Sequence, residues 1–267
     1  SWGIATKNGG CLTVQKDIGK ISAVKTEDIA RESHIAIGHT RWATHGGVTV
    51  ANAHPHTNAD GNIAVVHNGI IENYQELRKD LEARGYTLQS DTDTEVIPHL
   101  IEEELKAGGD FAAAARRACR RFHGRFAFLA LHTNSNTLVA ARNGSPLIVG
   151  VSLDGYCIAS DIPAFIDQTK TVQYLDDGEM VVTDGKSILF SEIETNKVLT
   201  KREIEITWSV EQAQKGEYDH FMLKEIMEQK ETIARAVNQD EQQIQTLAEA
   251  IGEAQGTFLS GCGTAGK

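Results

Sequence analysis

The sequence predicts an α+β layered sandwich followed by the opening of a separate α/β unit. Three observations carry this expectation. Short β-branched and aromatic runs dominate from Ser1 to about Phe190, bounded by Gly, Asn and Asp as hairpins require. Helical stretches interrupt these runs without alternating with them, which disfavours a doubly wound sheet. From Tyr218 the chain turns to long amphipathic stretches rich in Glu, Lys and Met.

In chain order, Ser1-Trp2-Gly3-Ile4-Ala5 reads as the start of a strand and Gly9-Gly10 as a turn. Further strands are expected at 34–39, 63–67, 126–131, 137–141, 147–150, 156–160, 171–174, 179–183 and 187–190. A helix is expected over 72–84, where Tyr74, Leu77 and Leu81 share a face. Another spans 94–107, carrying Val96, Ile97, Leu100, Ile101 and Leu105 up to a Gly108-Gly109 stop. A third covers 111–122. The charged, irregular stretch 192–216 separates two regions, which divide into 1–207, a linker at 208–217, and 218–267. The second region holds helices at 218–237 and 241–254, a β-prone run at 256–260 and a glycine-rich turn at 261–267.

Composition excludes several classes. Apolar residues make up 40% and charged residues 24%, ordinary values for a folded domain. Twenty-six basic side chains face 37 acidic ones, a net charge of −11, so no basic surface is available for a nucleic-acid backbone. The longest apolar runs are far too short to cross a bilayer, and no signal peptide opens the chain, so no membrane partner is expected. Cys11, Cys119, Cys157 and Cys262 are widely spaced, which fits a reducing, cytoplasmic setting. Both ends read as cut. No methionine precedes Met180, and the terminal glycine turn is of the kind that opens a helix. A missing sheet strand would leave an exposed edge and a weakly stable fragment.

Four polar clusters could carry chemistry. The densest runs from His39 to His56 and holds His39, His45, His54 and His56, with His34 just outside. Their spacings lack the helical i, i+4 pair of zinc enzymes, and no Cys or Glu completes a site, so no metal is assigned. Arg41, at a strand end, suits a carboxylate that its planar fork can grip through two bonds. His67-Asn68-Gly69 reads locally as a hairpin turn; its side-chain amide and glycine N–H also have the composition of an oxyanion hole. Ser90 to Glu95 precedes a helix, so its acids can cap that helix, and one carboxylate can also turn away to bind an ammonium. Gly261 to Lys267 matches both a dinucleotide fingerprint and the start of a phosphate-binding P-loop, each a backbone nest for a phosphate.

Together the clusters say more. His39-Thr40-Arg41-Trp42-Ala43-Thr44-His45-Gly46, Ala53-His54-Pro55-His56, His67-Asn68-Gly69-Ile70-Ile71-Glu72-Asn73 and Thr92-Asp93-Thr94-Glu95 follow the order found in class II glutamine amidotransferases. Within that class the chain resembles the isomerising glutamine–fructose-6-phosphate aminotransferase family over nearly its whole length. The resemblance implies a four-layer αββα sandwich of the N-terminal-nucleophile hydrolase type over 1–207, and the start of an α/β sugar isomerase (SIS) domain over 218–267. It implies that Arg41 grips the α-carboxylate of L-glutamine, with Thr44 and His45 shaping the pocket, and that Asp93 pairs with the α-ammonium. Asn68 and the Gly69 N–H would form the oxyanion hole, Gly69 would add backbone contacts, and His54 would support the pocket.

Cys262, Gly263 and Thr264 would belong to a loop facing a sugar phosphate such as fructose 6-phosphate, with Ala265 where the family often has serine. The resemblance further implies hexosamine biosynthesis, no cofactor, and a homodimer for the full-length protein. The family's nucleophile is a cysteine at the mature N-terminus whose α-amine acts as base. Ser1 aligns with an interior serine of the family, and Cys11 lacks an α-amine, so the chain as given is expected to be inactive. Competing expectations are a non-catalytic glutamine-binding or dimerisation module and the glutaminase domain of an amidophosphoribosyltransferase.

Overall fold

The structure is a computed structural model that describes residues 1–21, 24, 33–42, 46–207, 216, 218 and 220–258. The chain divides into two compact units, Ser1–Thr207 and Trp208–Lys267.

In the first unit, β1 (Trp2–Asn8) and β2 (Cys11–Asp17) form a hairpin whose pairing ends at Asn8 and Cys11. Gly9 takes the positive φ, +57°, that this two-residue turn needs. β3 (Ile35–Thr40) pairs with the other side of β1, giving a three-stranded sheet in the order β2-β1-β3. Next come β4 (His56–Thr57) and β5 (Ile63–Ile71), followed by α1 (Tyr74–Ala83), α2 (Val96–Lys106) and α3 (Phe111–Cys119). The Gly108-Gly109 pair, both at positive φ, separates α2 from α3. The Asp110 carboxylate caps α3 by accepting the Ala113 N–H at 2.7 Å.

The chain returns through β6 (Gly124–His132), β7 (Leu138–Asn143), β8 (Ile148–Ser152), β9 (Gly155–Ala159) and β10 (Thr171–Tyr174). It ends in β11 (Glu179–Thr183), β12 (Ile188–Glu192), β13 (Val198–Leu199) and β14 (Ile204–Glu205). These strands make a seven-stranded sheet, β13-β12-β11-β7-β6-β5-β4, and a four-stranded one, β14-β10-β8-β9.

Alternation along the central strands builds two cores. On one face of the seven-stranded sheet, Ile63, Val65, Phe126, Phe128 and Met180 pack with Leu77, Leu81, Ile97, Leu100 and Ala115 of the three helices. On the other face, Ala64, Val66, Ala127, Leu131 and Val181 meet Ala5 and Ile37 of the β1–β3 sheet and Val149 of β8. Each fully buried Leu, Ile or Phe contributes about 1.5–3 kcal/mol relative to exposure. The described residues therefore form three layers: helices, the large sheet, then the two smaller sheets. The second helical layer of the implied four-layer αββα sandwich has no counterpart among the described residues.

Four local expectations change. β2 adds a strand to the expected set: Leu12 and Val14 face the core while Thr13 and Gln15 point to the opposite face, an alternation only two apolar residues long. The strand expected at 63–67 continues to Ile71, so Asn68-Gly69 lies inside a strand and not in a hairpin turn. Gly69 sits there at φ +133°, and a Cβ on it would run into the Arg125 carbonyl of the paired strand. None of the three acids Asp91, Asp93 and Glu95 caps α2: Glu95 instead accepts the N–H groups of Gln89 and Ser90 at 2.8 and 2.6 Å.

In the second unit, α4 (Phe221–Val237) and α5 (Glu241–Glu253) are helical as the periodicity requires, with Asp240 capping α5. Residues 256–258 form no strand, and the rest of the expected strand and turn, 259–267, lies outside the described residues. No described helix is long and apolar enough to cross a membrane.

Candidate active site

β3 and β5 carry the site's polar groups to the ends of their sheets. Arg41 directly follows β3 and is tied to the first residue by its own N–H, which donates to the Ser1 carbonyl at 2.8 Å. Asp93 precedes α2 and is buried. Its carboxylate accepts the Ile71 N–H at 2.8 Å, which fixes it against the end of β5. Burial pulls the Arg41 guanidinium below its usual range, and the Asp93 charge opposes that shift. Arg41 and Asp93 therefore lie within electrostatic reach as a cation and an anion, complementary to the two ends of an α-amino acid.

Both groups line one groove of about 1070 Å³, together with Asn68, Gly69, Thr94, His39, His54 and His67. Asn68 is exposed, and its amide makes no hydrogen bond to the described residues. Trp42, beside Arg41, is 91% exposed on the same groove. Thr44 and His45 lie outside the described residues, as do Cys262, Gly263 and Thr264.

Four histidines stand behind these groups. His39 stacks on His54 with ring centroids 4.5 Å apart, and His56 meets His54 edge-on at 5.0 Å. The His54 Nδ1 accepts the backbone N–H of His67 at 3.4 Å, so it is the unprotonated nitrogen of that ring. β4 pairs with β5 only at His56–Val65 and Thr57–Ala64. The His54 ring thus takes over where the ladder stops, one residue before Asn68. His67 Nδ1 lies 2.9 Å from Thr94 Oγ1 and 3.9 Å from Asp93. Burial, reinforced by neighbouring positive groups, pushes His39 to about 4 and His56 to about 3. Burial likewise takes His67 to about 4 against the pull of Asp93, and places His54 well below its usual value. All four are neutral at pH 7. Among the described residues no three His, Cys, Asp or Glu groups converge as metal ligands.

Two supporting residues escape a reading of sequence. Lys16, on β2, donates to the carbonyls of Ala53 and Pro55 at 2.9 and 3.3 Å and so ties down the segment bearing His54. Asn52 links two loops of the site. Asn52 at least falls within the histidine-rich cluster; nothing in the pattern around Lys16 signals its reach.

The described cysteines differ in setting. Cys11 is exposed at the β1–β2 hairpin, and Cys119 is buried on α3, where burial raises its thiol pKa. Cys157 lines the groove from β9. Its thiol is also raised by burial and donates to Gln168 Oε1 at 3.0 Å. At Cys119 burial outweighs the pull of Arg116 and Arg120, and at Cys157 burial acts alone, so neither thiol is poised as a thiolate.

A family model described as a glutamine amidotransferase domain matches residues 39–167. A glutamine–fructose-6-phosphate aminotransferase (isomerizing) of Methanothermobacter thermautotrophicus is 46% identical over 99% of the chain. Its counterparts from Pyrococcus horikoshii and Thermus thermophilus are 44% and 40% identical over the same share. The chain spans 45%, 45% and 44% of those three relatives, less than half their length. Among solved structures, a glutamine phosphoribosylpyrophosphate amidotransferase from B. subtilis superposes with a TM-score of 0.62 at 27% identity, over 73% of this chain and 43% of that one. The motif order and the groove agree with these matches, and the chain contains a stretch, residues 39–167, that matches a glutamine amidotransferase domain.

Proposed function

We propose that residues 1–207 form a glutaminase domain that hydrolyses L-glutamine to glutamate and ammonia. The carrying observation is the single groove that gathers Arg41, Asp93 and the Asn68–Gly69 pair. Arg41 receives the α-carboxylate through its planar fork, and Asp93 the α-ammonium. The side-chain amide is thereby directed toward Asn68 and the Gly69 N–H, two donors able to stabilise a tetrahedral oxyanion. Thr44, His45 and His54 complete and support the pocket.

The attacking thiolate, in this reading, belongs to a cysteine on a further strand seated between β3 and β9. Both are edge strands among the described residues, and both line the groove with free edges. A strand there would join the two smaller sheets into one, completing the sandwich of the N-terminal-nucleophile type. The thiolate adds to the amide carbon, the nitrogen leaves as ammonia after protonation, and water hydrolyses the thioester.

The ammonia serves conversion of fructose 6-phosphate to glucosamine 6-phosphate. Residues 218–267 open the sugar isomerase domain, with Cys262, Gly263 and Thr264 facing the sugar phosphate, in a cytoplasmic homodimer. Supporting this acceptor over the phosphoribosyl one, the aminotransferase relatives match 99% of the chain, whereas the phosphoribosylpyrophosphate enzyme covers 73%.

Glutamate release from L-glutamine tests the reading, comparing the chain as given with a version extended upstream to the family's cysteine. Release only by the extended version is expected. Release by the chain as given, lost in Cys157→Ala or Cys11→Ala, would identify a different nucleophile and refute the mechanism.

A further inference from the structure

We propose that Asn52 is a positioning residue that holds the two charged ends of the pocket, Arg41 and Asp93, at the separation an α-amino acid demands. The inference rests on the glutamine-pocket reading above and adds to it the device that sets the pocket's span. Arg41 and Asp93 come from distant parts of the chain, one at the end of β3 and the other in the loop before α2. An α-amino acid carries its ammonium and carboxylate on one carbon, so the two jaws must be spaced together.

Asn52 is placed to do this. It is 1% exposed, and its side-chain amide is divided between both loops. Its Nδ2 donates to the Gly47 carbonyl at 3.1 Å and to the Asp91 carboxylate at 3.3 Å. Its Oδ1 accepts the Asp91 N–H at 2.9 Å. The same Gly47 carbonyl accepts from the Arg41 guanidinium at 3.3 Å. A continuous path thus runs from Arg41 through Gly47 and Asn52 to Asp91, two residues from Asp93. Thr49 holds Asn52 itself, its hydroxyl accepting the Asn52 N–H at 3.2 Å. Gly46, at φ +74°, lies so close that a Cβ there would come within 2.8 Å of the Asn52 amide nitrogen and 3.1 Å of the Asp91 Cβ. That close packing leaves the two loops little freedom to slide apart.

Without the link each jaw can still bind its own charge. What is lost is preorganisation: the ligand must then order both loops on binding. The signature is a penalty that appears only for ligands using both jaws. Removing the shared hydrogen bonds should weaken L-glutamine binding by about tenfold. A ligand lacking the α-amino group, 4-carbamoylbutanoate, is held through Arg41 alone and should lose less than about twofold.

The test is calorimetric binding of L-glutamine and 4-carbamoylbutanoate to the full chain and to an upstream-extended version whose attacking cysteine is replaced by alanine, so that glutamine is bound and not consumed. Each is compared with Asn52→Ala and Asn52→Leu, the latter keeping the side chain's branched shape so that cavity effects on folding separate from lost polar contacts. Selective weakening of L-glutamine in both variants supports the inference. Equal weakening of both ligands marks Asn52 as a merely structural residue and overturns it. Unchanged glutamine binding overturns it too, provided Arg41→Ala and Asp93→Asn still weaken that binding. If neither of those controls matters, the pocket reading itself fails, and this inference fails with it.

Discussion

Lowering the pH from 7 to 5 should remove about 6 kcal/mol of folding stability, and the histidine cluster is the reason. His39, His56 and His67 titrate near 4, 3 and 4 in the folded chain because burial penalises their charged forms. In the unfolded chain each returns to about 6.5. Between these values the unfolded state binds more protons than the folded one, so stability falls as pH falls. The contribution is complete above about pH 6.5 and is lost as pH drops toward 4. Linkage gives about 2 kcal/mol per histidine between pH 7 and 5.

His54 and His99 are depressed in the same direction by burial and steepen the loss. Carboxylates contribute little in this window, since their ordinary values lie near 4. A loss of this size approaches the whole stability of an ordinary domain. Urea unfolding followed by tryptophan fluorescence, at half-unit steps from pH 7.5 to 5, would measure it; Trp2 is buried and reports the first unit. The expected slope exceeds about 3 kcal/mol per pH unit near pH 5.5, and His56→Gln should lower it by about 1.4. A slope below that of a single proton would refute the picture of buried neutral imidazoles.

Three further outcomes can be checked on the same chain. Gly69→Ala should cost about 3 kcal/mol or more, or leave the protein insoluble, because its φ of +133° and the adjacent Arg125 carbonyl both reject a side chain; a melting curve decides. Asn58→Ala should cost about 2–4 kcal/mol in urea, since this buried side chain accepts the N–H groups of Asn62 and Ile63 and donates to Glu102 at 2.9 Å. Asp110→Ala should cost only about 1 kcal/mol, the worth of one helix cap, and should leave glutamine binding unchanged.

The cost at Gly69 also explains which parts of the fold could be read from sequence. The helices α1 and α2 and strands such as β6 and β11 are legible because each carries its own signal, an apolar period set by the face it buries. Asn68-Gly69 is different. Its local pattern is that of a hairpin turn, and it stays in a strand because Asn68 and Gly69 pair with Ala127 and Phe126 of β6, more than fifty residues away. No local rule holds that information. Asp93 is similar: its place in the site depends on the N–H of Ile71, which the end of β5 presents only after β5 has paired with β6.

The histidines show the opposite case. The structure shows them as stacked, neutral groups, one of which extends the β4–β5 ladder at His67. Residue types that carry charge or bind substrate are thus visible in the sequence, as with Arg41 and Asp93. Residues that set their spacing, such as Asn52 and Lys16, are ordinary polar side chains until the fold brings their partners within reach. A pocket built this way has its chemistry written in short motifs and its precision in long-range contacts. Substitutions at the second kind of residue should therefore change how tightly a two-ended ligand is held while leaving every charged group in place.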